Sequence, residues 1–212
     1  MSPTAPGKRR KTLKKKGDLF VISAPSGGGK STLCNMLLKN VDKLKMSVSF
    51  TTRDRRKGER NNRDYSFISE RKFREMIDRG EFAEWAMVHG NLYGTSVKRI
   101  KEINNRGYDI ILDIDVQGAR QIKQKIDDAI FVFILPPSMS MLKKRLTSRR
   151  TDSKEQVDMR LGIARKEISA CGEYDYIVIN KDIETAYNQL ASIIASTRLK
   201  TSRIDDRIIK SF

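Results

Sequence analysis

Residues 24 to 32 combine small residues, a lysine and a serine in an order that could hold a phosphate group. The segment is Ala24, Pro25, Ser26, Gly27, Gly28, Gly29, Lys30, Ser31 and Thr32. Glycines let successive backbone N–H groups point at phosphate oxygens, Lys30 can bridge the transferable phosphates, and the Ser31 hydroxyl can complete a magnesium shell. A short apolar run precedes this loop and an apolar helical stretch follows it. The sequence therefore predicts a P-loop for a nucleoside triphosphate.

The first position of this loop departs from the usual motif. Ala24 stands where a glycine is common. Alanine is compatible with the loop if its φ angle is negative, because only a positive φ requires glycine. A flexible glycine-rich loop with a chance lysine is the alternative interpretation.

A second cluster of cations follows and could bind a different anion. Residues 47 to 60 contain four arginines, a lysine and several hydroxyl groups, and Tyr65 lies shortly after them. Guanidinium groups bind phosphate through two parallel hydrogen bonds, and a tyrosine hydroxyl can add a third. Viewed alone, the segment has an exposed basic loop without a ligand as its less favoured interpretation.

From residue 18 to about residue 190 the chain resembles the guanylate kinases, P-loop enzymes that transfer a phosphate from ATP to GMP. Their acceptor-site pattern Ser-x-Ser-x-Thr-Thr-Arg-x-x-Arg-x-Gly-Glu, followed by Asp-Tyr-x-Phe, stands at residues 47–67. Further blocks of the family follow in the same order at residues 81–85, 89–96, 110–118, 136–137, 143–149 and 176–180. The chain departs from the family at Asp54, where many members have proline, and at Asn62, which replaces a frequent glycine and tolerates the left-handed conformation.

The resemblance implies a GMP site on the second segment. The residues it assigns to GMP are Ser49, Arg53, Arg56, Tyr65, Glu84, Tyr93, Thr95, Asp113 and Asp115. The arginines and tyrosines would hold the phosphate, while Ser49, Glu84 and Thr95 would recognise guanine. An ionised Glu84 can accept hydrogen bonds from both N1–H and the 2-amino group of guanine, whereas adenine offers neither donor. Without the motif, Glu84 would be interpreted as an exposed acid on an amphipathic helix.

Two carboxylates stand at the end of the apolar strand predicted at residues 109–114. Asp113 and Asp115 would emerge at the carboxyl edge of a sheet, where ligands bind, and residues two apart on a strand share a face. The resemblance places the pair near guanine and the water shell of the metal, and the division of these roles stays open. One of the two could instead cap the helix that begins near Gln117.

The resemblance also implies an ATP site and a closing lid. ATP would be bound by the P-loop residues 24–32 and by Asn180. Mg²⁺ would be held by Ser31, with a water-mediated contact to Asp115. The catalytic cations would be Lys30, Arg53, Arg145, Arg149 and Arg160. Arg145 and Arg149 are four residues apart, which favours one helical face. His89 is interpreted as structural or adjacent to substrate, because an acceptor phosphate needs no general base.

The alternation of apolar runs with helical stretches predicts an α/β fold. We expect a P-loop NTPase core with a mainly parallel sheet flanked by helices, an inserted GMP-binding domain and a helical lid. The predicted core strands are residues 19–23, 109–114, 130–135 and 176–179, and the predicted helices include residues 70–79, 117–125 and 183–199. The domains would be a disordered basic arm (1–16), the P-loop core (17–46, 99–137 and 169–200), the GMP-binding domain (47–98), the lid (138–168) and a C-terminal tail (201–212).

Composition excludes several classes of protein. The chain has 212 residues and a formal net charge of +17, of which seven charges lie in residues 8–16. Two cysteines and one histidine exclude a disulfide scaffold and a zinc site rich in these residues. No apolar run approaches the roughly 20 residues that span a bilayer. We expect a cytoplasmic protein without membrane contact, either a monomer or a homodimer.

Two other functions remain open at this level. A guanylate-kinase-like scaffold domain keeps the fold but binds phosphopeptides without catalysis, and such domains typically lose the phosphate loop that residues 29–31 retain. A nucleic-acid-binding function is supported only by the net positive charge, and the basic arm would make the contacts.

Overall fold

Two β-sheets organise the residues that the computed structural model describes, which are 16–88, 90–148 and 153–204. The basic arm up to Lys15, together with His89, Arg149 and residues 205–212, lies outside the described residues. The strands are β1 (Leu19–Ser23), β2 (Leu44–Met46), β3 (Phe50–Thr51), β4 (Ser66–Phe67), β5 (Phe82–Val88), β6 (Asn91–Ser96), β7 (Asp109–Asp113), β8 (Ile130–Leu135) and β9 (Tyr176–Ile179).

Helices separate most of these strands along the chain. They are α1 (Lys30–Asn40), α2 (Glu70–Asp78), α3 (Val97–Asn105), α4 (Val116–Lys125), α5 (Met139–Thr147), α6 (Lys154–Ser169) and α7 (Ile183–Arg198). None of the helices in the described ranges is long and apolar enough to cross a lipid bilayer.

The larger sheet has the strand order β2-β7-β1-β8-β9, and all of its neighbouring strands pair in parallel. All five residues of β1 are buried, as are the first four of β7 and the first five of β8. A parallel sheet covered by helices on both faces requires such continuous apolar strands. One face packs against α1 and α7 around Leu33, Leu37 and Leu190, and the other packs against α4 around Ile122.

The smaller sheet has the order β4-β3-β6-β5 and mixes parallel and antiparallel pairs. Helix α2 covers it through the stacked rings of Phe73 and Phe82, whose centroids are 4.5 Å apart. Ser69 begins this helix, because its side chain accepts a hydrogen bond from the backbone N–H of Lys72.

The α/β fold with a mainly parallel sheet is confirmed. The predicted strands 19–23, 130–135 and 176–179 are confirmed at their bounds, while β7 ends at Asp113, one residue earlier than predicted. Strand β2 and helix α3 were not predicted. The three residues of β2 include one buried and one exposed side chain, which is too short a pattern to distinguish a strand from a loop.

Asp109, the first residue of β7, is a buried carboxylate that joins several elements at the amino end of this strand. Asp109 is 3% exposed, and its Oδ1 accepts a hydrogen bond from the backbone N–H of Asp18 at 2.7 Å. Its Oδ2 accepts from Nε of Arg198 at 2.7 Å, and Arg203 lies 3.4 Å from Oδ1. Asp109 thereby connects β7 to the start of β1 and to the end of α7.

We expect Asp109→Ala to lower the free energy of unfolding by about 3–5 kcal/mol, because it removes the carboxylate that pairs with Arg198 and leaves the backbone N–H of Asp18 without its acceptor. Glu173→Ala is the matched control, since it also removes a carboxylate that pairs with an arginine, Arg120, but at a surface where the two side chains are 42% and 55% exposed. The control should lower the free energy of unfolding by less than about 1 kcal/mol. Urea denaturation measures both variants, and equal losses would show that Asp109 has no special place in the core.

Candidate active site

The predicted phosphate loop lies at the carboxyl end of β1, in the middle of the parallel sheet. Gly28 donates its backbone N–H to the carbonyl of Pro25 at 2.8 Å, which closes the turn of the loop. Ala24 is not among the residues with positive φ, so alanine fits the first position as the sequence interpretation required. Gly29 has a φ of 96°, and a Cβ at this position would lie 2.2 Å from Nδ2 of Asn180. Glycine is therefore required at residue 29 on both conformational and steric grounds.

Helix α1 begins differently from the other α-helices in the described ranges. The other six have a serine or aspartate side chain that accepts a hydrogen bond from the first turn; these residues are Ser69, Ser96, Asp115, Ser138, Ser153 and Asp182. Gly29 precedes α1 and makes no side-chain cap. The N–H groups of the first turn are thus directed at the loop without a competing side chain, which suits an anion.

Lys30 connects the phosphate loop to the end of the neighbouring strand. Its Nζ lies 2.7 Å from Oδ1 of Asp113 and donates to the carbonyl of Ile114 at 2.9 Å. Burial opposes the charge of Lys30, but the attraction of Asp113 outweighs it, so the pKa of Lys30 is raised above its usual value. The ammonium group is therefore charged and held at the centre of the carboxyl edge of the sheet.

Asn180 and Arg145 meet beside the loop. The Asn180 side chain, which is buried, donates from Nδ2 to the carbonyl of Gly28 at 2.8 Å. The backbone carbonyl of Asn180 accepts a hydrogen bond from the Arg145 guanidinium at 2.8 Å. The structure thus brings one predicted lid arginine, on α5, into direct contact with the residue that follows β9.

Arg53 lies close to two tyrosines, and all three are predicted to bind the second anion. The Arg53 guanidinium lies 5.5 Å from the ring centre of Tyr65, whose ring is 5.8 Å from that of Tyr93. Arg53 also lies 2.7 Å from Oε1 of Glu59, and Oε2 of Glu59 accepts the backbone N–H of Arg56 at 2.8 Å. The side chain of Arg56 is exposed. Glu59 therefore orders the loop that carries both arginines. Glu59 belongs to the family motif, but the sequence interpretation gave it no role.

Burial also affects the tyrosine of this cluster. It raises the pKa of Tyr65, and the nearby charge of Asp113 raises that pKa further. The Tyr65 hydroxyl thus stays protonated at neutral pH and can donate a hydrogen bond to an anion.

Glu84 lies on strand β5 and is 3% exposed, so the alternative of an exposed acid on a helix is wrong. The pairing of β5 with β6 shifts between Phe82 and Glu84, which makes Ala83 the extra residue of a β-bulge. The bulge places Glu84 opposite Thr95, whose hydroxyl donates to Oε1 of Glu84 at 2.5 Å. Ser49 lies 3.3 Å from the same hydroxyl. The three residues predicted to recognise guanine are therefore neighbours.

The two predicted carboxylates of the strand end have different positions. Asp113 is the last residue of β7 and pairs with Lys30, whereas Asp115 begins α4 and accepts the backbone N–H of Gly118 at 2.9 Å. The expectation that both lie on one face of a strand is wrong, because the strand ends at Asp113. The alternative of a helix cap holds for Asp115, and its charge still contributes to raising the pKa of Glu84.

The remaining predicted residues are less closely grouped in the structure. Ser31 and Thr32 occupy the exposed start of α1, and Arg160 is partly buried on α6. Arg149 and His89 lie outside the described residues, and α5 ends at Thr147, so a shared helical face of Arg145 and Arg149 stays a prediction.

Glu167 on α6 is a further carboxylate near the phosphate loop that sequence reasoning missed. Burial raises its pKa, while the charge of Lys30 and a hydrogen bond from the backbone of Ser26 act in the opposite direction. No motif or spacing marks this residue, because its nearness to the loop depends on how α6 packs.

The donors available for a metal ion are oxygen atoms. Within the described ranges, no group of three or more histidine, cysteine, aspartate or glutamate residues could hold an ion by itself. A serine hydroxyl at the start of α1 and the carboxylates of Asp113 and Asp115 suit a hard divalent cation that takes its other ligands from water and phosphate.

Glu84 allows a test of the site by stability. Burial raises the pKa of Glu84 to about 7, against 4.5 for the free side chain. Between pH 4.5 and 7 the folded state therefore binds more protons than the unfolded state, so stability falls as the pH rises through this window. Glu84→Gln removes the ionisation, and we expect it to raise the melting temperature relative to the native chain at pH 8 but not at pH 4.5. Calorimetry at both pH values measures this, and an equal effect at both would contradict the burial argument.

Comparisons with known proteins agree on one family. The family model described as guanylate kinase matches residues 16–197. The guanylate kinase of Geobacter metallireducens is 45% identical over 200 residues, which cover 94% of this chain and 98% of the relative. That of Dechloromonas aromatica is 48% identical over 183 residues, covering 86% and 91%. A crystal structure of guanylate kinase from Anaplasma phagocytophilum superposes with a TM-score of 0.75 at 36% identity, covering 91% of this chain and 92% of that one. With the phosphate loop and the buried carboxylate in place, these matches show that the chain belongs to the guanylate kinase family.

Proposed function

We propose that this protein transfers the γ-phosphate of ATP to GMP, giving ADP and GDP, and that it accepts dGMP in the same way, for the synthesis and recycling of guanine nucleotides. The observation that carries the proposal is the loop from Asp113 to Asp115. Asp113 contacts Lys30 of the phosphate loop, and the charge of Asp115 acts on Glu84. One short segment thus joins a site for a triphosphate to a site for a base.

Phosphate transfer between two nucleotides requires charge and position rather than a covalent intermediate. The γ-phosphoryl group passes in line to a phosphate oxygen of GMP, which is already anionic and needs no strong base. Lys30 stabilises the charge that spreads over the transferred group, and the backbone N–H groups of the loop hold the donor phosphates. Arg53, Arg56, Tyr65 and Tyr93 hold the phosphate of GMP.

Recognition of guanine rests on the hydrogen bonds that Glu84 can accept. The ionised carboxylate accepts from N1–H and the 2-amino group, while the Thr95 hydroxyl donates a hydrogen bond to its Oε1. Adenine would leave this carboxylate without a donor in a buried site, which is costly. Ser49 completes the group through its contact with Thr95.

Mg²⁺ is the proposed cofactor. Ser31 would hold it, with Asp115 acting through water, and the ion would neutralise charge on the donor phosphates when bound. Both residues offer hard oxygen atoms, which fit this ion.

We further propose that residues 47–98 act as the GMP-binding domain and residues 138–168 as a lid over ATP. Arg145, Arg149 and Arg160 would then contact the phosphates in the closed state, and closure would exclude water that could hydrolyse ATP. Arg145 already lies beside the loop through Asn180. The cytoplasm, where ATP and GMP are present, is the proposed location.

A coupled assay of ADP release with GMP, dGMP, AMP, CMP and UMP tests the reaction. GMP and dGMP should be substrates, and Lys30→Ala should lower kcat at least about 100-fold while GMP still binds. Lys39→Ala, an exposed lysine of the same helix, is the control and should keep full activity. Binding of phosphopeptides without any GMP-dependent ADP release by the native chain would favour the scaffold function instead.

The same assay tests the recognition of guanine. Glu84→Gln should lower the ratio of kcat/KM for GMP over AMP at least about tenfold, because the amide can accept from only one of the two guanine donors. Unchanged selectivity would show that Glu84 does not recognise guanine, but it would not argue against phosphate transfer from ATP to GMP.

A further inference from the structure

Helix α4 contacts the backbone on both sides of Glu84. Nζ of Lys125 donates to the carbonyl of Ala83 at 2.7 Å. The Gln121 side chain binds both backbone groups of Trp85: Nε2 donates to its carbonyl at 2.6 Å, and Oε1 accepts its N–H at 3.2 Å. The residues immediately before and after Glu84 are thus bound to a single helix, which packs against the larger sheet.

The contact from Lys125 falls where β5 does not pair regularly with β6, whereas Gln121 binds Trp85 within the regularly paired part of this edge strand. Ala83 is the extra residue of the bulge, so it has no partner of its own on β6. A bulge leaves backbone groups without ladder hydrogen bonds, and Lys125 supplies one for the carbonyl of Ala83. The direction in which Glu84 points therefore depends on α4 as well as on the sheet.

Gly118, in the first turn of α4, lies against the carboxylate itself. A Cβ at this position would be 2.4 Å from Oε2 of Glu84 and 3.1 Å from its Cδ. The φ of Gly118 lies outside the left-handed region, so its backbone would accept alanine. The side chain of Glu84 is also the nearest group that a methyl group would meet, and no backbone atom is among its three nearest contacts. Glycine is needed at residue 118 because of Glu84 and not because of the helix.

We propose that Gly118, Gln121 and Lys125 are positioning residues for guanine recognition, which together set where the Glu84 carboxylate lies. Gly118 leaves the space that the carboxylate occupies, and the other two hold the strand that carries it. Asp115 caps α4 and directly follows Ile114, whose carbonyl accepts a hydrogen bond from Lys30, so the same helix sets the base site in relation to the phosphate loop. The proposal rests on the proposed role of Glu84 in binding guanine.

Gly118→Ala is the direct test. The methyl group should push the carboxylate by at least about 1 Å, since ordinary contacts between such atoms lie near 3.5 Å. We expect the Kd for GMP, measured by calorimetry without ATP, to rise about 10- to 100-fold, as for the loss of hydrogen bonds to a charged group. The KM for ATP should change less than twofold, and the preference for GMP over AMP should fall with the GMP affinity.

Gly162→Ala is the matched control, because Gly162 also lies within a helix but a Cβ there would meet nothing within 4 Å. It should bind GMP as the native chain does. Alanine favours helix more than glycine does, so Gly162→Ala should not lower the melting temperature. Displacement of the Glu84 carboxylate offsets this gain in Gly118→Ala, so a general packing defect is recognised instead in a chain that carries Glu84→Ala: a melting temperature that falls there on adding Gly118→Ala would overturn the proposal.

A double variant separates an effect through Glu84 from any other. In a chain that already carries Glu84→Ala, adding Gly118→Ala should not weaken GMP binding further, because the carboxylate that the methyl group displaces is gone. An equal further loss in that background would overturn the proposal. The proposal would also be overturned if Gly118→Ala bound GMP as tightly as the native chain does. In that case the proposed function would still stand, provided that Glu84→Gln loses selectivity for GMP over AMP. If Glu84→Gln keeps its selectivity, the assignment of Glu84 to guanine fails first.

Gln121→Ala provides a second test that does not depend on the fit of a methyl group. It should raise the KM for GMP about 3- to 10-fold with little change in kcat, because it frees the backbone of Trp85 without touching substrate. Gln124→Ala, an exposed glutamine on the same helix, should leave both constants unchanged. Equal effects of the two glutamine variants would contradict a positioning role for Gln121.

Discussion

The parallel register of β1 against β7 is the constraint on which the site depends. Ile22 pairs with Asp113, so the two strands end at the same level of the sheet. The phosphate loop after β1 and the segment after β7 therefore start side by side, and Lys30 reaches Asp113 across 2.7 Å. A shift of one residue would turn the side chains of a strand to the opposite face. The buried apolar faces of both strands thus fix the distance between a lysine and an aspartate that lie far apart in sequence.

Helix α4 starts at this edge of the larger sheet and connects it to the smaller sheet. Asp115 begins the helix, and Gln121 and Lys125 bind the backbone of β5 on either side of Glu84. The carboxylate at this point is buried, which raises its pKa to about 7 and costs folding free energy whenever the group is ionised. Such a cost is common where a buried charge serves binding rather than stability.

Much of this arrangement could be predicted because it depends on local chemistry. The phosphate loop needs glycines, Lys30 and Ser31 in one order, and that order is visible in the chain. The apolar runs of β1, β8 and β9 are long enough to predict strands at their observed bounds. Asn62 was expected to tolerate the left-handed conformation, and it has a φ of 61°. The roles predicted for the residues assigned to GMP came from a motif, and the structure brings three of its members, Ser49, Glu84 and Thr95, together.

The sequence by itself determined the family, the parallel α/β core and the residue types at both sites, since each depends on composition or spacing within a short segment. The tertiary structure alone decided that Asp115 caps a helix while Asp113 binds Lys30, because that depends on the residue at which β7 ends. It also decided that Ala83 forms a bulge, that Gln121 binds the backbone of Trp85, and that Gly118 lies against Glu84. The last two contacts join residues 36 and 34 positions apart, and Gln121 binds backbone groups, which have the same chemistry at every position. No pattern of side chains along the chain can therefore show them.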